Sequence, residues 1–257
     1  MIHQHLIANF KMNLLDSEIR EYVDGLGQST LLKKPRPDHI HVGIAPSFPY
    51  LISCNDQISK QSYTIDLYAQ NVSRAMEGSY TGEISAQQIQ DCGALGSIIG
   101  HSERRTLHHE SSEIITDKMK ILAKLNMRAI YCLGEESRDI PDKYLQHLIE
   151  DQISILNDFP PAHLILAYEP KWAIGTGQEA DPQHIHKVST YIRQYLEKIY
   201  SQKQAKNIPL LYGGSVNAKN LPPILEISNI NGALVGSSSL DLEHFIALIE
   251  LFINANL

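Results

Sequence analysis

Five short segments carry residue types that together suit proton transfer on a phosphorylated carbonyl compound. They are Asn9-Phe10-Lys11-Met12-Asn13, Gly100-His101-Ser102-Glu103-Arg104-Arg105, Glu169 with the residues after it, Gly213-Gly214-Ser215, and Gly236-Ser237-Ser238-Ser239. Glu169 ends an apolar run and is followed by Pro170, which biases it toward extended backbone. A lone carboxylate at the end of a strand is a candidate base. Pro170, Lys171, Trp172, Ala173, Ile174, Gly175, Thr176 and Gly177 form an apolar loop with a glycine tip, the composition of a lid that excludes water. Ser102 is placed to cap a helix beginning near Glu103, whose positive end would keep His101 neutral and able to donate to a carbonyl oxygen. Lys11 can neutralise a developing enediolate. The small residues Ser215, Gly236 and Ser237, with Gly175 in the lid, can aim backbone N–H groups at an anion. Each segment alone has a plain structural explanation. Their joint occurrence points to an aldose–ketose proton-transfer site.

The elements that must position these residues follow from the hydrophobic pattern. Eight short apolar runs, at residues 6–10, 41–45, 64–69, 95–99, 129–133, 164–168, 209–212 and 232–235, read as strands buried on both faces. Helical periodicity fills several of the gaps, at residues 16–32, 111–125, 142–156, 181–200 and 241–253. Asp16 or Ser17 caps the first of these, and Pro182 opens the fourth. Strand–helix alternation predicts an α/β fold with a parallel sheet. Eight units in 257 residues fit a single (β/α)8 barrel over residues 1–257, with the five segments gathered at the C-terminal ends of the strands. No G-x-G-x-x-G follows the first strand, so a dinucleotide-binding fold loses its main support.

Composition excludes several classes. A net charge of −7 disfavours a nucleic-acid partner. No apolar stretch approaches a membrane span, and the N-terminus lacks a secretory signal. Three scattered cysteines, Cys54, Cys92 and Cys132, suit a reducing cytoplasm. Of the 12 histidines, His3 and His5 share a strand face, as do His39 and His41. The nearest approach to a metal motif, at His109-Glu110, lacks the second histidine of H-E-x-x-H, so no metal is expected.

The segments Ala8–Asn13, Tyr80-Thr81-Gly82-Glu83-Ile84-Ser85, Ile99–Arg105, Ala167-Tyr168-Glu169-Pro170, Trp172–Gly177 and Tyr212-Gly213-Gly214-Ser215-Val216 occur in the order found in the triosephosphate isomerase family, which the chain resembles over essentially its full length. A glutamate base beside a neutral histidine is that family's known pattern. The resemblance implies interconversion of glyceraldehyde 3-phosphate and dihydroxyacetone phosphate, a step of glycolysis and gluconeogenesis, with no cofactor. It makes Glu169 the proton carrier, His101 the electrophile, Lys11 the electrostatic stabiliser and Asn9 a further donor. Gly175, Ser215, Gly236 and Ser237 hold the phosphate, Glu103 orients Lys11, and Cys132 packs as an unreactive thiol. The resemblance also implies a homodimer through the loop carrying Thr81, Gly82 and Glu83.

The chain departs from the family at Phe10, where tryptophan is usual, and at Lys171, Gln178 and Glu179 around the lid. It departs again at Ser237, where a glycine is usual and positive φ would be costly for serine. Two rival functions remain. A phosphate-binding barrel without catalysis would not need base, cation and electrophile together, and an isomerase of larger phosphosugars would need longer loops.

Overall fold

The computed structural model describes residues 2–175 and 179–256; Thr176 and Gly177 of the expected lid, and Gln178 beyond it, lie outside them. Eight strands, β1 (Gln4–Asn9), β2 (Ile40–Ala45), β3 (Asp66–Ala69), β4 (Gly96–Ile99), β5 (Arg128–Leu133), β6 (Leu164–Tyr168), β7 (Leu210–Tyr212) and β8 (Gly232–Val235), close into a barrel in sequence order. Every neighbouring pair is parallel, including β1 with β8. Parallel neighbours require a crossover each time, and helices outside the barrel supply it. The expected (β/α)8 architecture is borne out.

Strand alternation sorts the core into two. Ile7, Tyr68, Ile98, Ile130, Ile165, Leu211 and Leu234 fill the barrel, with Ala45, Cys132 and Ala167 above them. The alternate residues, such as Leu6, Val42, Ile99, Leu133 and Leu166, meet the helices in the larger outer core. Tyr68 crosses the interior because Gly43 makes room for it: a Cβ there would lie 2.8 Å from its ring.

Below the apolar layer lies a polar one. His5 and His41 are register partners on β1 and β2, and Asp66 opens β3 beside them. Arg128 at the start of β5 donates to Asp66 at 3.0 Å. Burial, then the neighbouring His41 and Arg128, hold the His5 imidazole well below its ordinary pKa, against the opposing pull of Asp66. The unfolded chain takes up this proton below about pH 6.5 while the folded state refuses it. Stability is therefore full above that pH and falls as pH drops toward the folded value, by up to about 1.4 kcal/mol per pH unit for one group. We expect Tm to decline between pH ~6.5 and ~5.5, and His5→Gln to flatten the decline. An unchanged slope in the variant would remove His5 as its source.

Helix boundaries show where local geometry overrides the pattern. The first helix ends at Leu26 rather than near residue 32. Beyond it the chain turns, with the Gly27, Gln28 and Ser29 N–H groups bonded back to Asp24, Gly25 and Leu26. Its N-cap is Leu15, not Asp16 or Ser17, and the Glu18 carboxylate turns back to accept the Leu15 N–H at 2.6 Å. The helix at Pro182–Ile199 begins on its proline and is capped by Asp181. The other three lie at Ser112–Lys124, Asp142–Ser154 and Leu242–Asn256. No helix among the described residues is long and apolar enough to cross a membrane.

Candidate active site

At the end of β6 the chain needs space for a carboxylate. Glu169 is 3% exposed, and a Cβ on Gly213 would lie 2.8 Å from its Cγ. The glycine after β7 is thus required by the side chain after β6. The carboxylate accepts the Ser102 N–H on Oε2 at 3.1 Å and faces His101 Nε2 with Oε1 at 3.3 Å. The Cys132 thiol packs beneath, its pKa pushed well up by burial and by the Glu169 charge. A thiol so disfavoured as thiolate is inert.

The helix after β4 spans Ser102–Leu107, one residue earlier than the sequence suggests, and its cap is His101 rather than Ser102. The His101 Nδ1 accepts the Glu103 N–H at 3.2 Å. A ring nitrogen that accepts a hydrogen bond carries no proton, so the ring's proton sits on Nε2, the atom facing Glu169. The Ser102 N–H left free by this capping is the one that holds the base.

Lys11 follows β1 with φ of 52°, a conformation that L residues with long side chains rarely adopt. Three hydrogen bonds fix it. Its N–H donates to Asn9 Oδ1 at 3.1 Å, and its carbonyl accepts from Ser47 Oγ at 2.9 Å and Gln70 Nε2 at 2.8 Å. Such strain persists only where the surroundings over-determine it. The result is an ammonium group crossing the barrel mouth, paired with Glu103 at 2.6 Å and near Gly236 at the end of β8.

These groups line one cavity of about 320 Å³ together with Asn9, Gly175, Gly214, Ser215, Gly236, Ser237 and Ser238. Every predicted catalytic and phosphate-binding residue therefore reaches the same space. Ser237 does so without positive φ, so replacing the family's usual glycine there costs no backbone strain. Gly175 does need its glycine, with φ of 67°. Ser215 is engaged elsewhere: its N–H and its hydroxyl both donate to the Ala173 carbonyl, at 3.0 and 2.6 Å. Asn13, Glu179 and Asn217 also line the cavity, and sequence reasoning did not single out Asn13 or Asn217.

It also missed Glu135, which follows β5 and is fully buried. Its Oε1 accepts from Tyr168 Oη at 2.8 Å, Trp172 Nε1 at 3.0 Å and His184 Nε2 at 2.9 Å. Its carbonyl accepts the Lys171 N–H at 2.9 Å. Burial alone would raise the carboxyl's pKa, but the His184, Trp172 and Tyr168 bonds outweigh it and hold the group below its ordinary value. A carboxylate directly after an apolar strand and a glycine was the available signal, since the same reasoning identified Glu169. Lys171, a departure from the family pattern, pairs with Glu136 at 3.0 Å on the surface, and Glu179 accepts from Asn217 at 2.8 Å.

Comparison with known proteins agrees with this geometry. The family model described as "Triosephosphate isomerase" matches residues 4–252. Among curated relatives, the triosephosphate isomerase of Dictyostelium discoideum is 37% identical over 246 residues, covering 95% of this chain and 93% of its own. That of Mycoplasmoides gallisepticum is 38% identical over 256 residues, covering 96% and 97%. That of Thermus thermophilus is 35% identical over 248 residues, covering 95% and 96%. A match this long, to proteins sharing one name and through the residues that line the cavity, means that the chain belongs to the triosephosphate isomerase family.

Proposed function

We propose that this chain interconverts D-glyceraldehyde 3-phosphate and dihydroxyacetone phosphate through an enediolate, the proton being carried by Glu169. The observation that carries the proposal is the 3.3 Å approach of Glu169 Oε1 to His101 Nε2 at the wall of a cavity that also holds a lysine ammonium and a ring of small residues. The carboxylate removes a proton from the carbon beside the carbonyl. His101 Nε2–H and the Lys11 ammonium stabilise the oxygen that gains negative charge, and Asn9 adds its amide donor. Glu169 then returns the proton to the neighbouring carbon, while the hydroxyl proton passes from one oxygen to the other by way of His101 Nε2. To reach substrate it must leave the Ser102 N–H. The phosphate sits among the N–H groups of Gly175, Gly236 and Ser237. Ser215 joins once its bonds to Ala173 open, which couples phosphate binding to movement at Ala173.

The assay is direct: coupled turnover of triose, tetrose and pentose phosphates by the purified protein. Activity is expected on the triose phosphates, and activity confined to a pentose phosphate would overturn the assignment.

We also propose a homodimer. Met12, 94% exposed next to Lys11, and Tyr80, 55% exposed and adjoining the exposed Thr81, Gly82 and Glu83, leave apolar surface for a partner. This loop is tied at its base by the Ser73 N–H bond to Ile84 at 2.8 Å. A sedimentation mass equal to one chain at micromolar concentration would remove this part. The three free cysteines support a reducing cytoplasm as the location.

A further inference from the structure

We propose that the floor of the barrel, at the end opposite the active site, is a binding site for a nitrogen-preferring divalent transition ion such as zinc. One ring nitrogen each from His5 and His41 and a carboxylate oxygen of Asp66 lie within 4.8 Å of one another. His41 Nδ1 and Asp66 Oδ2 are already 3.3 Å apart. Two ligands bonded at about 2.0–2.1 Å around a tetrahedral centre are separated by roughly that distance. His5 is the third ligand. It is 2% exposed, and its Nδ1 has no hydrogen-bond partner among the described residues. A buried imidazole nitrogen without a partner is costly unless something occupies its lone pair.

Two of the three ligands have the outer partner that orients a ligand in a built metal site. The far nitrogen of His41, Nε2, lies 2.8 Å from His3 Nδ1. Asp66 is held by Arg128 at 3.0 Å and by Tyr68 Oη at 3.3 Å. An ion between His41 Nδ1 and Asp66 takes the place of the contact between them, with the His41 ring proton then on Nε2, facing His3 Nδ1. The His5 and His41 rings are nearly parallel, at 11° and 4.6 Å, and must tilt for both lone pairs to meet one ion. The adjoining cavity of about 390 Å³, lined by His3, His5, Arg128, His163 and Asn207 among others, gives room for this and a path for entry.

The donor set selects the class of ion. Two imidazoles and one carboxylate suit zinc, copper or nickel, whereas magnesium and calcium want oxygen ligands throughout. The Arg128 guanidinium on the same carboxylate makes the site poorer still for hard cations, which rely on uncompensated negative charge. No motif spacing betrays the site in the sequence, because its ligands come from three different strands that only the closed barrel brings together.

The test uses full-length protein, freed of metal with chelator and titrated with ZnCl2 by calorimetry and with Co(II) by visible absorption. One equivalent of zinc, a Co(II) spectrum of tetrahedral type and a higher Tm with zinc are expected. His3→Ala should weaken zinc by about 10–100-fold, as loss of an outer partner does, and His41→Gln by more. Both variants should keep triose phosphate turnover, which reports that they fold and separates this proposal from the assignment of the active site. Zinc affinity unchanged in both variants, or no binding at high micromolar zinc, would overturn the proposal.

Discussion

Glu169→Gln is expected to lower kcat by roughly 10³–10⁴-fold, the upper range for loss of a general base, while a phosphate-bearing competitor binds nearly as before. The two effects separate because the base and the phosphate cradle lie at different strand ends: Glu169 after β6, Gly236 and Ser237 after β8. The carboxylate accepts two donors, the Ser102 N–H and the His101 Nε2–H. An amide has one oxygen to offer them, so the variant also loses about 1 kcal/mol of stability. Glu169→Asp isolates position from chemistry. It keeps a carboxylate but withdraws it by about one bond length, and misplacement on that scale costs on the order of 10²-fold. Steady-state kinetics with a phosphate competitor checks both variants. Strong loss of competitor binding with a modest loss of kcat would take the base role away from Glu169.

The second large effect belongs to Glu135, which touches no part of the cavity. Glu135→Leu deprives Tyr168, Trp172 and His184 of the acceptor they share, and stability should fall by about 3 kcal/mol. At roughly 2–4 °C per kcal/mol for a chain of this size, Tm should drop by about 6–12 °C. Trp172 and Lys171 sit at the base of the segment that carries Gly175, so kcat/KM should fall by about tenfold as well. Glu135→Gln retains an oxygen acceptor and should recover most of both losses. A Tm drop in the leucine variant with kcat/KM unchanged would show a purely structural role. Equal effects of leucine and glutamine would show that packing, not hydrogen bonding, matters there. The carboxyl's lowered pKa also gives a pH dependence: its contribution is complete above the unfolded carboxylate value, near pH ~4.3, and is lost as pH falls through the folded one.

Much of this was legible in the chain itself. Strands buried on both faces leave continuous apolar runs, and all eight were found within two residues of their true limits. The start of β3 is later than its pattern suggests because pairing with β2 begins only at Asp66 with Gly43. Short helices such as Ala86–Asp91 and Leu221–Leu225 went unread because they hold too few turns to express a period. The site was legible where chemistry demands a residue type directly after a strand, as at Lys11, His101 and Glu169. It was not legible where a residue acts through contacts distant in sequence. Glu135 gains its meaning from His184, and Ser102 serves as an N–H donor rather than as a cap only because His101 takes that place.

The barrel interior is polar at both ends and apolar between, with Ile7, Tyr68, Ile98, Ile130, Ile165, Leu211 and Leu234 separating the histidine floor from the catalytic mouth. Such a layer is an insulator. Among the described residues no hydrogen bond joins its two sides, so substitutions at the floor and at the mouth are expected to be energetically additive. Evolution, or an engineer, can therefore retune one end of this barrel as if the other were a different protein.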